Sequence, residues 1–487
     1  MIDTPHVDWF ALAPVLSLLA GAAVALLAAV LVPASIRRAT AAGAAALGYA
    51  GAIVFGVLLY THSKDPSIVA GGGLSRDRLY ACAAVLIGGI GIATVLLAAR
   101  DRMRDDHIAE YFSLLAVAGA GMVFFVGSSN LMTLFLALEW FSISLYILCA
   151  IDGDNPSGLE AGLKYLVTGG FGSALVYGAT GKIDFTEIGA SPHGKDALLV
   201  VGLAMLIVGL GFKSSAAPFH QWTPDVYEGA PTTVTAFMSS ATKVAALLLT
   251  LRLLLEAFPQ EAHLWSVAVA VLACASLAIG NLGAIAQKNV KRILAYSSVS
   301  HAGFLLIAIA ANNALGARAL LFYLLPYGAM SLGSFAVVAA RERELGRPVA
   351  VDDLAGFGWE RPLLGLSFWL FLFGFAGFPL TGGFWAKIYV FSAAVDRGWN
   401  WLVVVGVVAT MVSLVYYLNL VRVLYLRADV VREPAPTATP AVAGGSPPSE
   451  RLLGTAVFAC AVVTVGTFIF VGPLTDIAKD ATAFLFL

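Results

Sequence analysis

Residues Gly209 to Lys243 read GLGFKSSAAPFHQWTPDVYEGAPTTVTAFMSSATK, and the reading of this stretch decides the fold. It continues an apolar run that starts at Ala197 and is long enough, with its continuation, to cross a bilayer. Lys213 sits inside that crossing, and Pro218 breaks the helix just after it. A second helix begins near Pro231 and carries Lys243 at its middle. An ammonium near the centre of a membrane helix costs about 2.5 to 3.5 kcal/mol on insertion scales, so a broken helix beside an intramembrane lysine points to function.

The rest of the chain agrees with a membrane setting. Of 487 residues, 59% are hydrophobic and 12% charged, whereas a soluble domain is about 25% charged, so most of the surface must face lipid or apolar protein. The expectation is an all-α polytopic membrane protein. Apolar windows give about fourteen transmembrane helices, near 12–32, 41–61, 79–99, 109–127, 131–151, 160–180, 197–216, 234–254, 264–286, 293–311, 317–340, 364–392, 400–426 and 453–473. A formal net charge of −1 leaves no basic footprint for nucleic acid. Cys82, Cys149, Cys274 and Cys460 lie far apart in apolar spans and read as small buried fillers. The first residues lack a basic region and a small-residue cleavage site, so no cleaved signal is expected. No HExxH, Walker or complete Rossmann pattern occurs, so no cofactor or metal is expected in this chain.

Alternate loops differ in basic residues, about fifteen against about eight, which places the first set in the cytoplasm and both termini outside. Proline, glycine and small residues between Glu433 and Glu450 read as a flexible linker before the last span.

The seventh span is interrupted at Pro218 beside Lys213. The twelfth, LFGFAGFPLTGGFWAKIYVF, is interrupted around Gly377, Pro379, Gly382 and Gly383 beside Lys387. These spans lie five apart, and an odd offset makes the two repeats opposite in direction across the membrane. Lys213, Lys243 and Lys387 face one deep carboxylate, Glu139, in LMTLFLALEWFSISLYI. A buried ion pair between Glu139 and Lys213 would explain those two residues structurally but leaves ammonium groups uncompensated, and groups held that way exchange protons readily. Arg252 and Arg422 lie towards span ends and are expected to snorkel to the interface. Lys164 has Glu160 four residues earlier, so a structural pair and a relay role both stand. His301 and Tyr296, in RILAYSSVSHAGF, could extend a wire with nearby serines; His220, beside Trp222, is a similar candidate, and satisfied packing residues are the alternative for both histidines.

The stretches LALEWFSISLYIL, EAGLKYLVTG, GFKSSAAPFHQWTPDVYEGAPTTVTAFMSSATKVA, QKNVKRILAYSSVSHAGF and GFPLTGGFWAKIYVF together resemble the antiporter-like membrane subunits of bacterial complex I, the proton-pumping NADH–quinone oxidoreductase. VTAFMSSATKVA and a lysine at 387 are most similar to subunit N, the counterpart of mitochondrial subunit 2. The resemblance implies two inverted five-helix repeats, 109–254 and 264–426, after an N-terminal segment 1–108, with a linker 427–452 and a C-terminal helix 453–487. It implies that Glu139 and Lys213 form the input pair, Lys243 the central relay and Lys387 the exit group. NADH, flavin, iron–sulfur clusters and a quinone would be held by other subunits. The implied partners are K-, M-, J- and A-type membrane-arm neighbours, the peripheral redox arm and membrane lipids. A subunit of a multi-subunit cation/proton antiporter is the alternative. The sixth span, GGFGSALVYGATG from Gly169 to Gly181, departs from the family in being short.

Overall fold

The computed structural model describes residues 7–63, 65–99, 107–151, 160, 171–190, 197–426 and 451–486. Lys164, the first part of the sixth span and the linker 433–450 lie outside these residues. The chain begins with α1 (Trp9–Leu31) and α2 (Ala34–His62), then a hairpin of β1 (Ser67–Val69) and β2 (Leu74–Arg76). There follow α3 (Arg78–Ala98), α4 (Ile108–Val126), α5 (Leu131–Cys149), α6 (Phe171–Thr180), α7 (Phe185–Ala190), α8 (Ala197–Lys213), α9 (Trp222–Gly229) and α10 (Thr232–Phe237). A π turn, Met238–Thr242, joins α10 to α11 (Lys243–Ala257). The remainder comprises α12 (Ala262–Ile285), α13 (Val290–Ala310), α14 (Ala314–Leu345), α15 (Phe357–Glu360), α16 (Pro362–Ala376), α17 (Gly382–Asp396), α18 (Asn400–Tyr425), α19 (Arg451–Ile469) and α20 (Val471–Thr482).

Among the described residues, eleven helices are long and apolar enough to cross a membrane, counting Thr232–Ala257 as one; Ala197–Lys213 and Pro362–Ala376 are shorter apolar helices. The molecule is a polytopic all-α membrane protein. Five of its helices start at side chains that take the first free N–H groups, which water cannot satisfy in hydrocarbon. Asp8 caps α1, Asp77 caps α3, Asn130 caps α5, Asn289 caps α13 and Asn313 caps α14.

Helices differ in what they face. The most apolar window of Thr232–Ala257 is wholly buried and that of Val290–Ala310 94% buried, against 33% for Asn400–Tyr425, so α10, α11 and α13 form the interior and α18 presents an outer face. The 32-residue α14 is a central post, packed against α3, α10, α13, α16, α17, α19 and α20.

Two crossings are broken. After α8 the chain loses helical form until α9, with Ser215 at φ 61. Between α16 and α17, Gly377 at φ 84 and Leu380 at φ 74 turn the backbone. A Cβ on Gly383 would lie 1.9 Å from the Gly374 carbonyl oxygen, so only glycine lets the two half-helices approach this closely.

Two expectations change, and one element is added. Arg252 does not snorkel. It is fully buried, with Nη2 2.7 Å from an Asp77 carboxylate oxygen and Nη1 3.8 Å from Glu256. The span-end argument missed Asp77, 175 residues away in sequence, which brings the charge its partner. The last span stops at Ile469, and α20 is a separate helix packed on α3 and α14. Its polar sequence, VGPLTDIAKDAT, suits a helix lying beside the bundle. The hairpin at 67–76, which hydropathy windows do not detect, is turned by Ala70, Gly71 and Gly72, all at positive φ.

Candidate functional site

The first break gathers the site's first two lysines, one from its own helix and one from another span. Lys213, the last residue of α8, is buried, and its Nζ donates to Ser142 Oγ at 2.6 Å. The rings of Phe141 and Tyr146 lie 5.3 and 5.4 Å from that nitrogen and offer it their negative faces. Glu139, half-buried on α5, stands three residues before Ser142, one helical turn from the hydroxyl that receives the ammonium. The structure thus brings Glu139 and Lys213 to one place. It adds Ser142, a hydroxyl on the same helical face of α5, which the sequence reading passed over.

Lys243 opens α11 immediately after the π turn. Such turns widen a helix by one residue and re-aim the side chain that follows. Its buried Nζ donates to the carbonyls of Ser214, at 2.9 Å, and Ser298, at 2.7 Å. Ser214 belongs to the break after α8, so the carbonyl released there is taken by an ammonium from another span.

The second break repeats the arrangement. Lys387 of α17 is buried, and its Nζ donates to the Ala376 carbonyl at 3.1 Å and to Thr410 Oγ1 at 3.4 Å. Ala376 is the last residue of α16. Phe304 places its ring 4.6 Å from the same nitrogen. At both breaks a lysine meets the carbonyl-rich end of a half-helix, where the helix dipole favours a cation.

Helix α13 connects the two lysines. Its Ser298 carbonyl receives Lys243, its Phe304 ring faces Lys387, and the rise from 298 to 304 is about 9 Å. His301 lies between them, buried, with Nδ1 2.9 Å from the Tyr323 hydroxyl and Nε2 3.2 Å from the Tyr417 hydroxyl. Tyr417 is hydrogen bonded to Ser297. Ser298 Oγ meets the Tyr327 hydroxyl at 3.1 Å, which donates to the Ser239 carbonyl at 3.2 Å. The chain from Lys243 to Lys387 is therefore flanked by hydroxyls from α13, α14 and α18.

Tyr296 does not join this row. Five residues before His301, it points about 140° away around α13, and its ring lies 6.2 Å from that of His220. His220 is itself buried, outside the Lys243–Lys387 line, in the segment between α8 and α9 that Pro218 and Trp222 shape. The Trp222 indole donates to the Phe212 carbonyl at 2.9 Å and fastens that segment to α8. Pro379 is an exposed member of the second break. Tyr323, Tyr327 and Tyr417 were missed from sequence because aromatic residues in apolar spans look like packing; Tyr323 and Tyr327 carry one signal, their four-residue spacing on α14, and Tyr417, on α18, carries none. Among the described residues there is no group of three or more His, Cys, Asp or Glu able to hold a metal ion.

A family model described as NADH:quinone oxidoreductase/Mrp antiporter, TM, matches residues 128–413. NADH-quinone oxidoreductase subunit N 1 of Herpetosiphon aurantiacus is 40% identical over 407 residues, covering 80% of this chain and 81% of that protein. The subunit N of Salinibacter ruber is 38% identical and covers 88% of each. A chain of respiratory complex I from Thermus thermophilus superposes with TM-score 0.77 at 31% identity, covering 96% of this chain and 99% of its own. A chain of the Mrp complex from a Dietzia species superposes with TM-score 0.81 over 97% of each at 22% identity, a likeness of fold.

Proposed function

This chain belongs to the NADH-quinone oxidoreductase subunit N family, and from that premise we propose that it moves protons through the membrane arm of the bacterial complex while quinone is reduced elsewhere. The observation that carries the proposal is the repeated arrangement of a buried lysine on a carbonyl freed by a broken helix, with His301 between Lys243 and Lys387. The Lys243 and Lys387 ammonium groups, held by carbonyls and, at Lys387, an aromatic face, with no carboxylate at ion-pair distance among the described residues, are poised to release a proton when the local field changes. Glu139 and Lys213 form the input pair, Lys243 the central relay and Lys387 the exit-facing group, with His301 and its tyrosines as the bridge.

The fold assigned with this role has fourteen spans, the seventh and twelfth discontinuous, arranged as inverted repeats 109–254 and 264–426. The segment 1–108, the linker 427–452 and the C-terminal segment 453–487, which holds most of α19 and all of α20, flank them. Both termini lie outside a bacterial cell membrane. K-, M-, J- and A-type subunits are the membrane neighbours, and the peripheral arm holds the redox cofactors. The matched family also includes cation/proton antiporters, so sodium-dependent exchange without quinone-reducing partners is the competing activity.

The test is Lys243→Ala in the assembled complex in sealed vesicles, with NADH oxidation and proton uptake followed together. Protons moved per NADH should fall markedly while the complex still assembles. An unchanged ratio would overturn the assignment.

A further inference from the structure

A lateral cleft of about 340 Å³ opens between α12, α13 and α18, away from the lysine row. Apart from Tyr416, whose hydroxyl donates to Asn281, its polar lining is Gln287, Asn419 and Arg422; Ile285, Val415 and Leu418 are among its apolar lining. The same division runs along α18, whose outer face exposes Val404, Val408, Met411, Val415 and Leu418 before reaching Asn419 and Arg422. Head and tail are thus separated along the helix as they are in a lipid.

The charge at the polar end needs an anion. Arg292, on the neighbouring α13, is neutralised by Asp225 at 2.9 Å and Glu228 at 2.8 Å. Among the described residues Arg422 has no carboxylate at ion-pair distance. Asn419 lies one turn deeper on the same face, exposed where hydrocarbon would otherwise surround its amide. Basic pockets between membrane helices recognise anionic headgroups, and a guanidinium with an adjacent amide offers several donors to phosphate oxygens. We propose that this cleft binds one anionic phospholipid of the phosphatidylglycerol class, its phosphate on Arg422 and Asn419 and an acyl chain along Val415, Leu418 and Ile285.

The test embeds the full chain in phosphatidylcholine nanodiscs with a trace of phosphatidylglycerol bearing a photoreactive acyl chain, and maps the labelled peptides by mass spectrometry. Labelling should concentrate within 284–293 and 404–422 and fall about fivefold in Arg422→Gln. Arg422→Lys, which keeps the charge, should retain most of it, and unlabelled phosphatidylglycerol should compete far better than phosphatidylcholine. Labelling unaffected by Arg422→Gln, or competed equally by both lipids, would overturn the site. Competition by inorganic phosphate would reassign it to a free anion. Loss of labelling in the assembled complex would assign the face to a neighbouring subunit instead.

Discussion

Arg252 shows how a single residue can be misplaced by its position in a span. Its guanidinium is sealed from solvent and donates to Asp77 Oδ1, with Oδ2 at ion-pair distance. Removing one member of a buried pair leaves the other charged and unsolvated, typically a loss of about 3–5 kcal/mol. Arg252→Ala should destabilise the folded chain by that order in unfolding titrations in detergent. Arg252→Met combined with Asp77→Leu should recover most of it, short of about 1 kcal/mol for the lost cap on α3. A pair worth less than its cap would show that the guanidinium is solvated after all. The lysines themselves were legible, because three ammonium groups in apolar spans outnumber the one deep carboxylate that could pair with them. The partners were not, since Ser142, Ser214 and Ala376 contribute ordinary hydroxyl or backbone atoms chosen only by the fold.

The broken helices were readable as elements because glycine and proline clusters interrupt otherwise continuous apolar runs. What a pattern of breakers does not specify is where the freed carbonyls point. Gly377 carries that information at the second break: its φ of 84 is unfavourable for other residues, and a Cβ there would come within 2.9 Å of Lys387 Cδ. Gly377→Ala should therefore destabilise the chain by about 1–2 kcal/mol and lower proton transport without removing a titratable group. Normal transport in this variant would mean that the Lys387 position is not critical. The π turn before Lys243 was also hidden, since VTAFMSSATKVA reads as an unbroken helix.

At its N-terminus α1 depends on Asp8, which accepts from the N–H groups of Phe10 at 3.0 Å and Ala11 at 3.1 Å and from Arg76 at 2.8 Å. Burial pushes this carboxyl up, but the Ala11 N–H and the Arg76 guanidinium outweigh it and hold it below its ordinary range. A folded value below the unfolded one contributes stability above the ordinary carboxylate pKa of about 3.9, and that contribution disappears as pH falls through the lower folded value. Thermal scans should show a steeper acid loss below about pH 4 in the native chain than in Asp8→Asn. Parallel acid profiles would remove Asp8 from the account.

Across the whole molecule, the row Lys213, Lys243, His301 and Lys387 crosses from one broken helix to the other through the most buried spans. Hydropathy located those spans, yet their stacking order depends on long-range packing around α14 that no local pattern encodes. If the row is one path in series, each lysine is a gate that every proton must pass. Losing a second gate then adds little, so Lys243→Ala with Lys387→Ala should pump about as poorly as the worse single variant. If the two lysines served separate paths, each single loss would be partial and the double loss would approach their product. Pumping rates of the four proteins in the same assembled complex, normalised to NADH oxidation, separate the cases. His301→Ala, which removes the bridge while keeping both lysines, should fall in with the series variants, and its near-normal pumping would break the row at its centre.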